Sequence, residues 1–197
     1  MLKTKFLLLF FLIGTVSFAQ DFDAGFRLGI AGSQVNGDKL VGFNKAGIIA
    51  GAFVSRKLSS HFSVQMEMAY VQKGSRKPTS EIDNSFYLLR VNYIEIPLML
   101  QWKVASKLAL TAGSSFGTLI SSHEENEWGV FDSGSQFKKF EVSANAGIVY
   151  SLGDHWSFDG RYSASMTTIR PFPGVATAFF DRGQYNELIE FSLLYRF

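Results

Sequence analysis

Residues 186–197 read NELIEFSLLYRF, and the reading of this stretch decides the fold. Ile189, Phe191, Leu193, Tyr195 and Phe197 fall on one side of an extended chain, and Glu190, Ser192, Leu194 and Arg196 on the other. A period of two marks a strand whose two faces meet different surroundings. The alternation recurs upstream. Trp156, Phe158, Gly160, Tyr162, Ala164 and Met166 interleave with Ser157, Asp159, Arg161, Ser163, Ser165 and Thr167. Phe62, Val64, Met66, Met68 and Tyr70 oppose Ser63, Gln65, Glu67, Ala69 and Lys73. Near the start, Phe22, Ala24, Phe26, Leu28 and Ile30 oppose Asp23, Gly25, Arg27 and Gly29.

Eight segments of this kind are predicted, over 22–34, 44–58, 61–76, 88–104, 107–122, 137–152, 155–170 and 184–197. Ser59-Ser60, Ala105-Ser106 and Gly153-Asp154 supply tight turns, whereas 35–43, 77–87, 123–136 and 171–183 are long connections. An even number of antiparallel strands puts both termini, and all three tight turns, at one end. Bacterial transmembrane barrels have this layout, with short periplasmic turns and long outer loops. A spanning strand needs about nine to eleven tilted residues, which every segment supplies. The fold class predicted is therefore all-β, an eight-stranded antiparallel up-and-down transmembrane β-barrel.

Alternation alone does not say which face is inward. A soluble ligand-binding barrel, apolar inside, is the competing architecture. The polar face decides against it. It carries Arg27, Glu67, Glu95, Asp159, Arg161 and Glu190 beside small Gly and Ser. An eight-stranded lumen is just wide enough to be filled by such side chains, and opposite charges pair there. The apolar face, by this reading, meets lipid. Trp102, Trp156, Phe62, Tyr150, Tyr195 and Phe197 cluster toward the turn end. Phe43, Phe86, Tyr87, Phe131, Phe137, Phe140, Phe179 and Tyr185 fall toward the loop end, giving two expected aromatic belts.

The N-terminus predicts export. Lys3 and Lys5 precede the apolar run Phe6–Val16, and Ser17-Phe18-Ala19 offers small residues at the right spacing for cleavage after Ala19. The run is too short for a transmembrane helix, which needs about twenty apolar residues. Residues 1–19 are thus expected to be a signal peptide and 20–197 the barrel domain. The formal charge of +2 over the 197 residues comes from these two lysines alone. The remaining chain is neutral and offers no basic patch for nucleic acid. No cysteine is present, which excludes disulfides, thiolate metal sites and a cysteine nucleophile.

The fourth segment contains Asn92-Tyr93-Ile94-Glu95-Ile96-Pro97-Leu98-Met99-Leu100. Behind an export signal, this string resembles a strand of the PorT-like outer-membrane β-barrel family of Bacteroidetes. Gly51-Ala52-Phe53, Leu58–Gln65, Tyr70–Gly74, Gly147–Trp156 and Arg161-Tyr162 resemble its other strands, so the resemblance spans nearly the whole mature chain. It implies the outer membrane of a Gram-negative cell. It implies no single activity, although some members are associated with protein secretion. Tyr195 and Phe197, with Leu193 behind them, resemble the signal read by the barrel-insertion machinery.

The candidate site is then a lumen charge network of Arg27, Glu67, Glu95, Asp159, Arg161 and Glu190. Pro97, two residues from Glu95, lacks a ladder donor and predicts locally broken pairing. A second candidate is the apolar fourth loop, where Phe172, Val175, Phe179 and Phe180 suit a contact with a protein partner. His123 lies beside Ser121, Ser122, Glu124 and Glu125, but sequence neighbours do not make a triad. Glu124, Glu125, Glu127 and Asp132 lack the spacing of a calcium loop, so a solvated acidic loop is expected. No catalytic residue, metal or cofactor is expected. The predicted role is structural or interactive, with a side-chain-filled lumen in contact with outer-membrane lipid and lipopolysaccharide. A small-solute channel and an outer-membrane hydrolase are the alternatives.

Overall fold

The computed structural model describes residues 22–38, 40–79, 85–131, 137–171 and 183–197. The strands are β1 (Phe22–Asn36), β2 (Lys45–Lys57), β3 (Phe62–Lys77), β4 (Tyr87–Lys103), β5 (Leu108–Asn126), β6 (Gly129–Phe131), β7 (Phe140–Ser151), β8 (Trp156–Ser165) and β9 (Tyr185–Arg196). Each long strand pairs antiparallel with its neighbours in sequence order. Pairing of β1 with β9 closes the ring, so that Phe26 lies opposite Tyr195 and Ile30 opposite Phe191. Eight strands form the closed barrel. Closure pairs every long strand on both sides, the condition for crossing a bilayer. The short β6 pairs only with the end of β5 and makes a hairpin above the wall.

The faces sort as the alternation predicts. Arg27, Ala31, Ser33 and Val35 of β1 are buried, whereas Phe26, Leu28 and Ile30 are exposed. The interior holds the charged and hydroxyl side chains and the exterior holds Leu, Ile, Val, Met and Phe. This inverts the usual soluble arrangement. The tight turns share one closing geometry. Two successive backbone N–H groups donate to a single carbonyl, Leu58 and Ser59 to Phe62, Val104 and Ala105 to Leu108, and Leu152 and Gly153 to Trp156.

Three features depart from simple alternation. First, β5 runs to Asn126, several residues beyond the predicted 122, and carries a bulge. Asn92 pairs with Ser121 but Tyr93 with Leu119, leaving Ile120 as the extra residue. A bulge shifts the phase by one. Inward positions are odd up to Leu119 and even beyond it, so Glu124 turns inward. Second, β8 ends at Ser165 rather than 170, and Ile169 folds back into the lumen with full burial. Third, Pro97 breaks the ladder. Met66 pairs with Leu98 and Ala69 with Glu95, but the two intervening rungs of the β3–β4 pairing are missing.

At the turn end the aromatic belt is continuous in places. Phe62 stacks with Trp102 at 6.4 Å between centroids, and Trp156, Tyr195, Phe197 and Phe26 form a chain of ring contacts. The loop-end belt is thinner than expected. Phe140 is exposed and stacks on Phe116, but Tyr87 and Phe137 point inward and pack over the lumen. Phe179 lies outside the described residues.

Candidate functional site

The lumen is filled in layers. Strand direction fixes their order, because β1 rises from the turn end at Phe22 to the loop end at Asn36. Lowest is an apolar layer of Phe53, Val149 and Leu194. A charged layer follows on Arg27 and Arg161. Above it lie Ala31, Ile49, Ala69, Val71 and Leu188, then a second charged layer on Lys73, then Val35, Leu89, Val91, Tyr93, Phe137 and Ile169.

In the lower charged layer two guanidiniums mesh with three carboxylates. Arg27 donates from Nη1 to Glu67 at 2.8 Å, from Nη2 to Glu190 at 2.7 Å and from Nε to Ser192 at 3.1 Å. Arg161 donates to the other oxygen of Glu67 at 2.8 Å and to Asp159 at 2.7 Å. Glu67 thus bridges both arginines, and Gln65 donates to it as well, at 2.9 Å. Gln101 in turn donates to Gln65 and Ser63 to Gln101, a relay that runs down toward the turn end. Such forked, charge-assisted pairs suit buried side chains.

Space for these side chains comes from glycine. Arg27 sits opposite Gly51 across the ladder, Arg161 opposite Gly147 and Glu95 opposite Gly117. A Cβ on Gly51 would come within 2.7 Å of the Ala69 side chain. Small residues beside large charges are what a narrow lumen requires.

Five of the six predicted network residues meet in this layer. Glu95 does not. It belongs to the upper layer, where Lys73 Nζ lies 2.5 Å from Glu95 and 2.8 Å from Glu141. Glu141 also accepts from Ser143, Ser165 and Asn186. The Lys73 ammonium stands 5.1 Å from the Tyr93 ring centroid. Lys73 and Glu141 were missed as site residues. Both lie on the polar face of their strands, so alternation could have found them. Their meeting could not be read, because β3 and β7 face each other across the lumen without pairing.

A third group caps the loop end. Arg170 donates to Glu124 at 2.8 Å and to Gln184 at 2.5 Å, and its guanidinium stacks over Phe137 at 4.8 Å. Tyr87 donates its hydroxyl to Glu124 at 2.5 Å. Burial opposes the charge on Arg170, which lies beyond the end of β8, but Glu124 and Tyr87 outweigh it and raise the guanidinium above its ordinary range. The expectation that Glu124 is a solvated loop acid is therefore corrected. The bulge at Ile120 carries it inside.

The other sequence candidates separate. Ser121 accepts from Asn92 at 2.8 Å, while the half-exposed His123 faces Glu125 at 3.6 Å. Phe172, Val175, Phe179 and Phe180 lie outside the described residues, as does the predicted signal segment 1–19. At the C-terminus, Phe197 N donates to Ala24 O at 3.0 Å and its ring meets Phe26 edge-on at 5.2 Å. No group of residues arranged to hold a metal exists among the described residues.

Two solved barrels show the same fold. The attachment invasion locus protein Ail of Yersinia pestis, solved with the heparin analogue sucrose octasulfate, superposes with a TM-score of 0.53 at 13% identity, covering 89% of this chain and 99% of its own. Neisserial surface protein A superposes with a TM-score of 0.52 at 11% identity, covering 88% and 97%. At such identities the likeness concerns the fold alone. No curated protein matches the sequence. The family model described as "Outer membrane protein beta-barrel domain" matches residues 18–169. That match spans most of the closed wall, and the chain belongs to this family.

Proposed function

We propose that this outer-membrane barrel is a closed scaffold that holds its long loops at the cell surface, and that it is not a pore. The observation that carries the reading is the layered lumen. Two ion-pair layers alternate with three apolar ones, and Tyr87, Phe137 and Arg170 close over the loop end. A hydrated ion would have to part a packed cluster at each level, against the cost of leaving buried charges unpaired. Planar-bilayer recordings of the refolded protein are expected to show no steady conductance. A large, steady conductance would sink the reading and favour a small-solute channel.

The finer assignments belong to the same proposal. The Glu95-Ile96-Pro97 strand supports placement in the PorT-like branch. Residues 1–19 act as a cleaved signal, so N-terminal sequencing of the membrane form should begin at Gln20. The exposed apolar wall contacts phospholipid and lipopolysaccharide, and Tyr195 and Phe197 present the insertion signal. Phe172, Val175, Phe179 and Phe180 are assigned to a protein contact. Deleting 173–180 should change the copurifying proteins, and an identical set would count against that contact. No catalytic role is assigned to any residue.

A further inference from the structure

Below the lowest apolar layer the lumen opens into a cavity of about 430 Å³ at the turn end. In outer-membrane barrels this end faces the periplasm. Its charge differs from that of the rest of the lumen. Lys57, Lys103, Lys107 and Arg196 all line the cavity, and each extends the inward face of its strand. Lys57 follows Phe53 and Ser55 on β2, Lys103 follows Met99 and Gln101 on β4, Lys107 precedes Thr111 on β5, and Arg196 follows Leu194 on β9. Four strands therefore bring a cation to one rim. The lining includes no carboxylate. Arg196 reaches Asp23 at 3.7 Å, but Lys57, Lys103 and Lys107 form no ion pair among the described residues. Higher in the lumen, Arg27, Lys73, Arg161 and Arg170 each hold at least one carboxylate.

Three lysines at one mouth without a carboxylate partner give it a positive potential that favours an anion. We propose that this vestibule binds a phosphate-bearing polyanion presented from the periplasmic side. A lysine is a compact charge with three rotatable donors, suited to a tetrahedral oxyanion rather than to a planar, bidentate one. One carboxylate would offset only one of the three ammoniums, whereas a pyrophosphate or a phosphate monoester carries about two negative charges or more at neutral pH. Ser59 supports the assignment. Ser59 lines the cavity, and its oxygen accepts from the backbone N–H groups of His61 and Phe62, which leaves its hydroxyl hydrogen free to donate to a ligand. The volume lies within the range of small-ligand sites, about 300–1,000 Å³. The phosphate belongs either to a free solute or to an inner-leaflet lipid whose headgroup ends in a phosphate monoester, as in phosphatidic acid.

The test is calorimetric titration of the refolded barrel in neutral detergent with inorganic pyrophosphate. Saturable binding is expected at low salt. The triple variant Lys57→Gln, Lys103→Gln, Lys107→Gln should weaken it about tenfold or more, since several solvent-exposed pairs are lost together. Those positions are exposed, and a heat-modifiable gel shift confirms that the variant is folded. Arg56→Gln is the control. Arg56 points outward, 5.8 Å from the Phe22 ring centroid, and its loss should leave binding unchanged. Absence of saturable binding, or an equal loss in Arg56→Gln, would overturn the site. In nanodiscs of matched surface charge, pyrophosphate binding weakened by phosphatidic acid relative to phosphatidylglycerol identifies a lipid headgroup as the ligand. Binding that is the same in both identifies a soluble phosphate.

Discussion

The two buried charge layers are built on opposite plans. In the lower one, Arg27 and Arg161 share Glu67, and each holds a further carboxylate, Glu190 or Asp159. Every acid there lies near at least one cation, and Asp159 also stands 3.6 Å from Arg27. In the upper one, Lys73 alone faces Glu95 and Glu141. The lower layer is a mesh and the upper a hub. A mesh tolerates the loss of one member better than a hub does, because the remaining cation still faces the stranded carboxylates. The design difference follows from the side chains. A guanidinium fork engages several acceptors at fixed angles, whereas an ammonium concentrates its charge at one point.

This contrast is open to direct attack. Lys73→Met should be the most damaging substitution, because two carboxylates lose their common partner inside an apolar surround. The expected loss is about 3–5 kcal/mol, the range for breaking a buried pair. It should be seen as the largest drop in the temperature at which the folded gel band converts to the unfolded one. Melting like the parent would remove the hub from the account. Arg27→Met comes next, at about 3 kcal/mol, because Arg161 still covers Glu67 and Asp159 while Glu190 is stranded. A larger loss than in Lys73→Met would reverse the comparison. Glu95→Ala should cost less, about 1–2 kcal/mol, since Lys73 keeps Glu141. Combined with Lys73→Met it should recover part of the first loss, and strict additivity would show that the two side chains are not coupled. Arg170→Ala should have the smallest effect, about 1 kcal/mol, since Glu124 keeps the hydrogen bond from the Tyr87 hydroxyl. It should leave bilayer conductance at baseline, because the apolar layer of Leu89, Val91 and Tyr93 lies beneath it.

The wall was legible in the sequence because a strand with one lipid face and one lumen face writes its period into every second residue. Phe191 and Glu190 announce their sides without help from the rest of the chain. The partners inside were legible only in part. Arg27 and Glu190 lie on paired strands, but Glu67 reaches Arg161 across the lumen, over a distance set by closure and stagger rather than by sequence. Lys73 and Glu141 meet in the same way. Glu124 was misread for a different reason. One added residue at Ile120 reverses the phase, and nothing in Thr118-Leu119-Ile120-Ser121 separates a bulge from continued alternation. Tyr87 and Phe137 read as belt aromatics because position near a strand end does not tell a ring over the mouth from a ring in lipid.

Pro97 has a mechanical consequence. A closed barrel normally has no preferred place to tear, since each strand is laced to both neighbours. Here the lacing between β3 and β4 lacks two rungs, at Glu67–Met68 and Ile96–Pro97, while the β5 side remains fully tied. Under force or heat the wall should part first along this seam. The backbone amide beside it, that of Glu67, faces Pro97 across the gap and should exchange with heavy water ahead of its neighbours in the ladder. The same gap lies at the level of Glu67, so the mesh of arginines anchors β3 to β1 and β8 where its hydrogen bonds to β4 are absent.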